Sequence, residues 1–189
     1  QVAIDSNGNA IAIWRQDVST RTNVWANQFI VGSGWQTAER LETNLEYAAL
    51  PQVSFSATGD ALAVWLQDDG FRKNVWATRH IAGSGWEAAQ LLEQSTGTAD
   101  VPQIGVDDSG NAMAIWSQQE AVGARTNILA SRYLVASNSW DAPQEIDGID
   151  GSALQSQIAV RSDGTAFAVW SQLVGAAGTR TDIWSNRFE

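Results

Sequence analysis

Tryptophan and arginine, set at recurring intervals, are the side chains of this sequence best suited to hold a ligand. Ten tryptophans stand among 189 residues, beside five phenylalanines and two tyrosines. Trp35, Trp86 and Trp140 each close a small-residue turn, Gly-Ser-Gly in the first two and Ser137-Asn138-Ser139 in the third. An indole on such a turn offers a sugar ring a flat apolar face with a polar edge. Arg21, Arg72, Arg125 and Arg180 form a second column, and a guanidinium can grip carboxylate or phosphate oxygens in pairs. These seven residues are the candidate ligand-binding positions. Quieter roles compete with that reading. The indoles can wedge between sheets, and the arginines can satisfy loop carbonyls or pair with neighbouring acids. Gln16, Gln67, Gln118 and Gln172 pose the same choice, between sugar hydroxyls and buried amides that join sheet edges.

Other chemistries are poorly supplied. The chain has no cysteine, which excludes disulfides, a thiol nucleophile and thiolate metal sites. Its single histidine, His80, aligns with Phe29, Tyr133 and Phe188 and so fills an aromatic position. Glycoside cleavage needs two carboxylates across a cleft, about 5–10 Å apart. The acid pairs Asp68-Asp69 and Asp107-Asp108 are sequence neighbours instead. Insertions that break the repeat, at 121–124, 148–152 and 175–178, are small and chemically quiet. No catalytic residue is assigned, and a non-enzymatic protein is expected. The turns at 5–9 and 107–111 set Asp, Asn and Ser oxygens in the manner of half a calcium loop. Ser56 and Arg161 replace the leading Asp in the other two copies. No metal site or cofactor is therefore expected, calcium being the one candidate. A net charge of -10 argues against nucleic acid and anionic membrane as partners, and no membrane insertion is expected.

The elements that carry these columns follow from the tryptophans themselves. Trp14, Trp65, Trp116 and Trp170 are spaced 51, 51 and 54 residues apart, and Trp25, Trp76 and Trp184 run in parallel with Leu129 in the vacant place. The period divides one repeat domain, 1–189, into copies at 1–50, 51–101, 102–155 and 156–189. Each copy opens on Gln with an alternating apolar segment and turns through Gly. It continues as Ala-apolar-Ala-apolar-Trp-x-Gln, then runs through an Arg-led segment to the Trp turn. A short closing segment contains Leu41-Glu42, Leu92-Glu93 or Ile146-Asp147. Period-two alternation, abundant Val, Ile and Trp, and Gly/Asn/Asp boundaries make these segments strands. The second strand is apolar on both faces, alanines on one and larger residues on the other. A small face admits a large one from the next sheet, so the sheets can stack around an axis. The expected fold is all-β: a β-propeller-like array of four repeats, each a four-stranded antiparallel blade with its first strand innermost. The last blade lacks its outer strand. An exposed edge invites pairing, so self-association, or further repeats that complete the propeller, is expected.

The order PQV…GNA…AVW-x-Q, then N-apolar-W-A-x-R, GSGW and a closing LLE, best seen in residues 51–93, resembles tandem propeller repeats of bacterial secreted and surface proteins. Such repeats are loosely termed sialidase-like. The resemblance implies an extracellular, periplasmic or cell-surface location. It does not carry sialidase chemistry. The Asp-box of sialidases joins the third and fourth strands, whereas Ser162-Asp163-Gly164-Thr165 lies between the first and second, and Trp170 follows its glycine by six residues. The functional expectation is a non-enzymatic recognition or scaffold module that binds glycans through its Trp turns. The alternative is a purely structural or protein-interaction repeat, with a glycosidase-like enzyme fragment ranked last.

Overall fold

The computed structural model describes the chain except at residues 19–20, 43–45, 94, 122, 149 and 175–179. The insertion at 175–178, and one position in each of the other two, thus lie outside the described residues. Among the described residues every regular element is a strand, and the strands form four antiparallel sheets. The first holds β1 (Val2–Ile4), β2 (Ala10–Val18), β3 (Arg21–Ile30), β4 (Gly34–Trp35) and β5 (Glu39–Arg40). The second holds β6 (Ala48–Phe55), β7 (Ala61–Asp68), β8 (Lys73–Ile81), β9 (Gly85–Trp86) and β10 (Gln90–Leu91). The third repeats this with β11 (Ala99–Val106), β12 (Ala112–Gln119), β13 (Thr126–Leu134), β14 (Ser139–Trp140) and β15 (Gln144–Glu145). The fourth has β16 (Ala153–Val160), β17 (Ala166–Val174) and β18 (Arg180–Phe188). This is the β-propeller-like array of four-stranded blades expected from the repeat.

Two details differ from the simplest blade. The outer strand is split, and its two pieces pair with the same third strand. Phe29 faces Trp35 while Ala26 faces Glu39, so the register slips by one residue between the pieces. The same slip recurs in the second and third sheets, as a one-residue bulge produces. The turn tryptophans therefore belong to the ladder rather than to a free loop. Each later inner strand also starts earlier than the repeat boundary and carries a bulge, at Leu50, Val101 and Gln155. All three residues have left-handed φ, at 50°, 48° and 57°. Pro51 and Pro102 follow the first two, and a residue without an N–H cannot extend a ladder. Ser156 keeps the same bulge in the fourth sheet.

The core lies in the seams between sheets, and each seam sets a large face on a small one. Ile11, Ile13 and Val24 of the first sheet pack on Ala61, Ala63 and Trp65 of the second. Val64, Leu66 and Val75 pack in turn on Ala114 and Trp116. Met113, Ile115 and Ile128 pack on Ala166, Ala168 and Trp170. Burying each large side chain contributes roughly 1.5–3 kcal/mol. A tryptophan inside a seam needs a partner for its N–H, and the residue two along the strand lies on the same face. Trp65, Trp116 and Trp170 donate to Gln67, Gln118 and Gln172 at 3.4, 2.9 and 2.8 Å. Those amides donate onward to the carbonyls of Glu46, Gln119 and Gly151. Gln67, Gln118 and Gln172 are thus buried amides, whereas Gln16, which accepts from Trp14 at 3.0 Å, is exposed. Glycine closes the first hairpin of each sheet, with φ between 84° and 92° at Gly8, Gly59, Gly110 and Gly164.

Candidate functional site

The two candidate columns sit at opposite ends of the sheets. Each Arg precedes or opens the third strand, and each turn Trp pairs near the far end of that strand. Eight residues separate Arg21 from Phe29, the partner of Trp35, which is about 27 Å at ~3.4 Å per residue. A blade thus cannot bring its own Arg and Trp to one ligand. The arginines are engaged locally. Arg72 lies 3.5 Å from Asp69 and donates to Asn74 at 3.1 Å. Arg125 reaches Glu145 at 2.8 Å, and Arg180 reaches Asp182 at 2.7 Å. Arg21 is exposed at the start of β3. The calcium-like turn at Asp5 is also internally occupied. Both its carboxylate oxygens accept from Asn7 and Asn9 at 2.8–2.9 Å. Burial alone would raise the Asp5 carboxyl, but those hydrogen bonds outweigh it and hold the carboxyl below its ordinary value.

The turn tryptophans, by contrast, border grooves. Each leans against an aromatic ring of its own third strand: Trp35 edge-on to Phe29 at 5.6 Å, Trp86 edge-on to His80 at 5.1 Å, and Trp140 tilted on Tyr133 at 5.3 Å. Trp35 is exposed, while Trp86 and Trp140 are half-buried because a preceding sheet covers one side. Between the first and second sheets lies a groove of about 310 Å³, walled by Leu41 and Glu42 on one side and Trp76, Trp86, Glu87, Ala88 and Ala89 on the other, with Gln67 also on its lining. The next seam holds a corresponding groove of about 440 Å³ with Leu92, Trp140, Asp141, Ala142 and Pro143. Only the first has two indoles, because Leu129 stands at the counterpart of Trp76 and packs into the core. A largely apolar cleft with a few converging polar groups is the form ligand sites take.

Glu42 is the group that sequence reading passed over. Its Oε1 accepts from the Asn23 amide at 2.6 Å, and its Oε2 is buried without a hydrogen-bond partner among the described residues. Burial pushes its carboxyl above the usual range against the opposing Asn23 hydrogen bond. Glu93 and Asp147, its counterparts, are raised by burial as well, and each also has one buried oxygen without a partner. The signal was present as the acid ending each closing segment, yet an acid beside leucine on a short strand reads as solvated. The neighbouring sheet buries it. Glu42 of one repeat and Glu87 of the next, 45 residues apart in sequence, line the same groove across the seam. A search for acid pairs within a repeat cannot find them. Among the described residues no group of three or more His, Asp or Glu gathers as a metal site, and no helix is long and apolar enough to cross a membrane.

Solved structures with this fold are known. The chain superposes on a Bacteroides thetaiotaomicron endo-arabinase with a TM-score of 0.53 at 10% identity, over 98% of this chain and 72% of the enzyme. With a Penicillium chrysogenum alpha-L-arabinanase complexed with arabinobiose the TM-score is 0.62 at 12% identity, over 99% and 62%. With a family PL25 ulvan lyase it is 0.61 at 10% identity, over 99% and 54%. The chain thus spans between about half and three quarters of the length of these enzymes. No protein-family model matches the sequence, and no curated protein matches it. The expectation of a non-enzymatic module, and of no enzyme at all, is corrected here. The blade array is a fold on which arabinan- and ulvan-cleaving enzymes are built. The expectation weighed acid pairs within one repeat, whereas a groove between stacked sheets draws its lining from two.

Proposed function

We propose that this protein is a glycan-cleaving enzyme, or the propeller part of one, that works by hydrolysis in the groove between its first and second sheets. The observation that supports the reading is that two indoles and two acidic residues from different repeats, Trp76, Trp86, Glu42 and Glu87, line one groove in a fold shared with polysaccharide-cleaving enzymes. Trp86 and Trp76 stack on sugar rings. Glu42, with its carboxyl raised by burial, gives its proton to the leaving glycosidic oxygen after its side chain turns the buried Oε2 toward the sugar. Glu87 supplies the second carboxylate, which activates water or attacks the anomeric carbon. The substrate is a polysaccharide, because the groove is open along the seam rather than closed around one sugar. A polymer of that size is met outside the cytoplasm, in keeping with the resemblance to secreted and surface repeats.

Incubation with a panel of arabinans and uronate-containing polysaccharides tests the proposal. New reducing ends without unsaturated product are expected, with Glu42→Gln and Glu87→Gln each lowering the rate at least 100-fold while tryptophan fluorescence still responds to the glycan. Removing a proton donor or second carboxylate costs a factor of that order. Cleavage unaffected by either substitution would sink the assignment, and an unsaturated product would replace hydrolysis by elimination.

A further inference from the structure

The third sheet departs from its neighbours at one rung of its ladder. The inner and second strands pair Ala49 with Leu66 in the second sheet, Asp100 with Ser117 in the third, and Leu154 with Ser171 in the fourth. Leu66, 1% exposed, fills the seam between the second and third sheets at this level. In the seam before it the same position is Arg15, which donates to the Tyr47 hydroxyl at 3.1 Å. Ser117 shares a face with Met113 and Ile115, which pack on the fourth sheet, but its side chain is too short to fill the seam. A groove of about 370 Å³ opens there, and Thr98, Asp100, Ser117, Gln119, Thr126 and Gln155 are among its lining. Ser117 is 2% exposed, and its Oγ has no hydrogen-bond partner among the described residues. Burying a hydroxyl unpaired is costly. Asp100 is exposed at the rim, where its Oδ1 accepts from the Val101 N–H at 3.0 Å. Among the described residues neither a cationic nor an aromatic side chain lines the groove.

We infer that this groove binds a neutral sugar residue, as a second carbohydrate site apart from the groove between the first and second sheets. The Asp100 carboxylate accepts from neighbouring sugar hydroxyls. The Gln119 amide nitrogen donates to the Ala124 carbonyl at 2.9 Å, which leaves its oxygen to accept from the ligand. Thr98 Oγ1 accepts from the Lys73 N–H at 3.1 Å, which leaves its proton to donate. A turn of Ser117 between staggered χ1 wells presents its unpaired Oγ to a ligand hydroxyl, so binding satisfies a group that the fold leaves unpaired. A carboxylate with no cation beside it repels uronates, sulfated sugars and phosphates. The volume suits a small molecule, and without an aromatic platform the affinity is weak, with Kd of about 1–10 mM. The groove holds a sugar without cleaving it, because glycoside hydrolysis takes two carboxylates and Asp100 is the one acid on its lining. The inference does not rest on cleavage in the first groove, since the two grooves share no lining residue.

Titration of the isotope-labelled chain with galactose, xylose, arabinose and glucuronate, followed by amide NMR shifts, tests it. At least one neutral sugar is expected to shift the amides of Ser117, Gln119 and Thr126, with glucuronate roughly tenfold weaker. Ser117→Leu copies Leu66 into the groove, and is expected to abolish these shifts with the melting temperature unchanged or raised. Asp100→Asn keeps an oxygen for the Val101 N–H and is expected to weaken binding roughly tenfold, as loss of a charged hydrogen-bond acceptor does. Absence of shifts at these amides up to about 100 mM of every neutral sugar overturns the inference. Binding that survives both substitutions, or that favours glucuronate, also overturns it. Shifts confined to the surroundings of Trp86 and Glu87 would overturn it while supporting the first groove.

Discussion

At the scale of single residues, three positions carry backbone strain that side-chain chemistry does not explain. Leu50, Val101 and Gln155 hold left-handed φ at the inner-strand bulges, where residues with a Cβ lose roughly 1–2 kcal/mol. Gln155 is exposed, so replacing it sacrifices little packing. Gln155→Gly is expected to raise stability by about 0.5–1 kcal/mol in urea titrations, the relieved strain exceeding the extra chain entropy of glycine. Gln157→Gly, two residues along the same strand and in ordinary extended backbone, is expected to lower it by about the same amount. Equal effects from both would mean that the bulge is unstrained. Arg72, an early candidate for ligand binding, illustrates how placement decides a role. It is tied to Asp69 and Asn74 at the end of the sheet away from Trp86. Arg72→Ala is therefore expected to leave glycan cleavage unchanged within twofold, and a larger loss would move the site.

At the scale of elements, the closing strands set a pH dependence. Glu42, Glu93 and Asp147 all have carboxyls raised by burial at the sheet seams. A raised carboxyl binds its proton more tightly folded than unfolded, so its contribution to stability is whole below about pH 4 and is lost as pH climbs through the raised values. Asp5 and Asp60 run the opposite way, held low despite burial by hydrogen bonds from Asn9 in one case and from Ala82 and Arg79 in the other. Their contribution is present above about pH 4 and fades below it. The combined variant Glu42→Gln, Glu93→Gln, Asp147→Asn is expected to flatten the alkaline side of a stability-against-pH curve. An unaltered slope would show that these groups titrate normally. The seams themselves are sensitive to volume. Ala114 is fully buried between Val64, Leu66 and Trp116, so Ala114→Leu is expected to cost about 1–3 kcal/mol by overpacking, read as a lowered melting temperature.

At the scale of the whole molecule, stacking explains both what could be read and what could not. The repeat, the strand identity and the blade topology were legible in sequence. Period-two alternation and a recurring Ala-x-Ala-x-Trp-x-Gln are local properties that a strand in any sheet must show. The split outer strand and the bulges were not legible, since register depends on which residue faces which across a ladder. Nor was the groove. Trp86 was found because it repeats, whereas Glu42 acquired its buried carboxyl, and came to line one groove with Glu87, only when the second sheet packed against the first. The amino-acid order by itself determined the blades, because hydrophobic alternation acts along one strand. Only the tertiary structure decided the candidate groove, because it is lined from two repeats and the burial of Glu42 depends on the packing of their sheets.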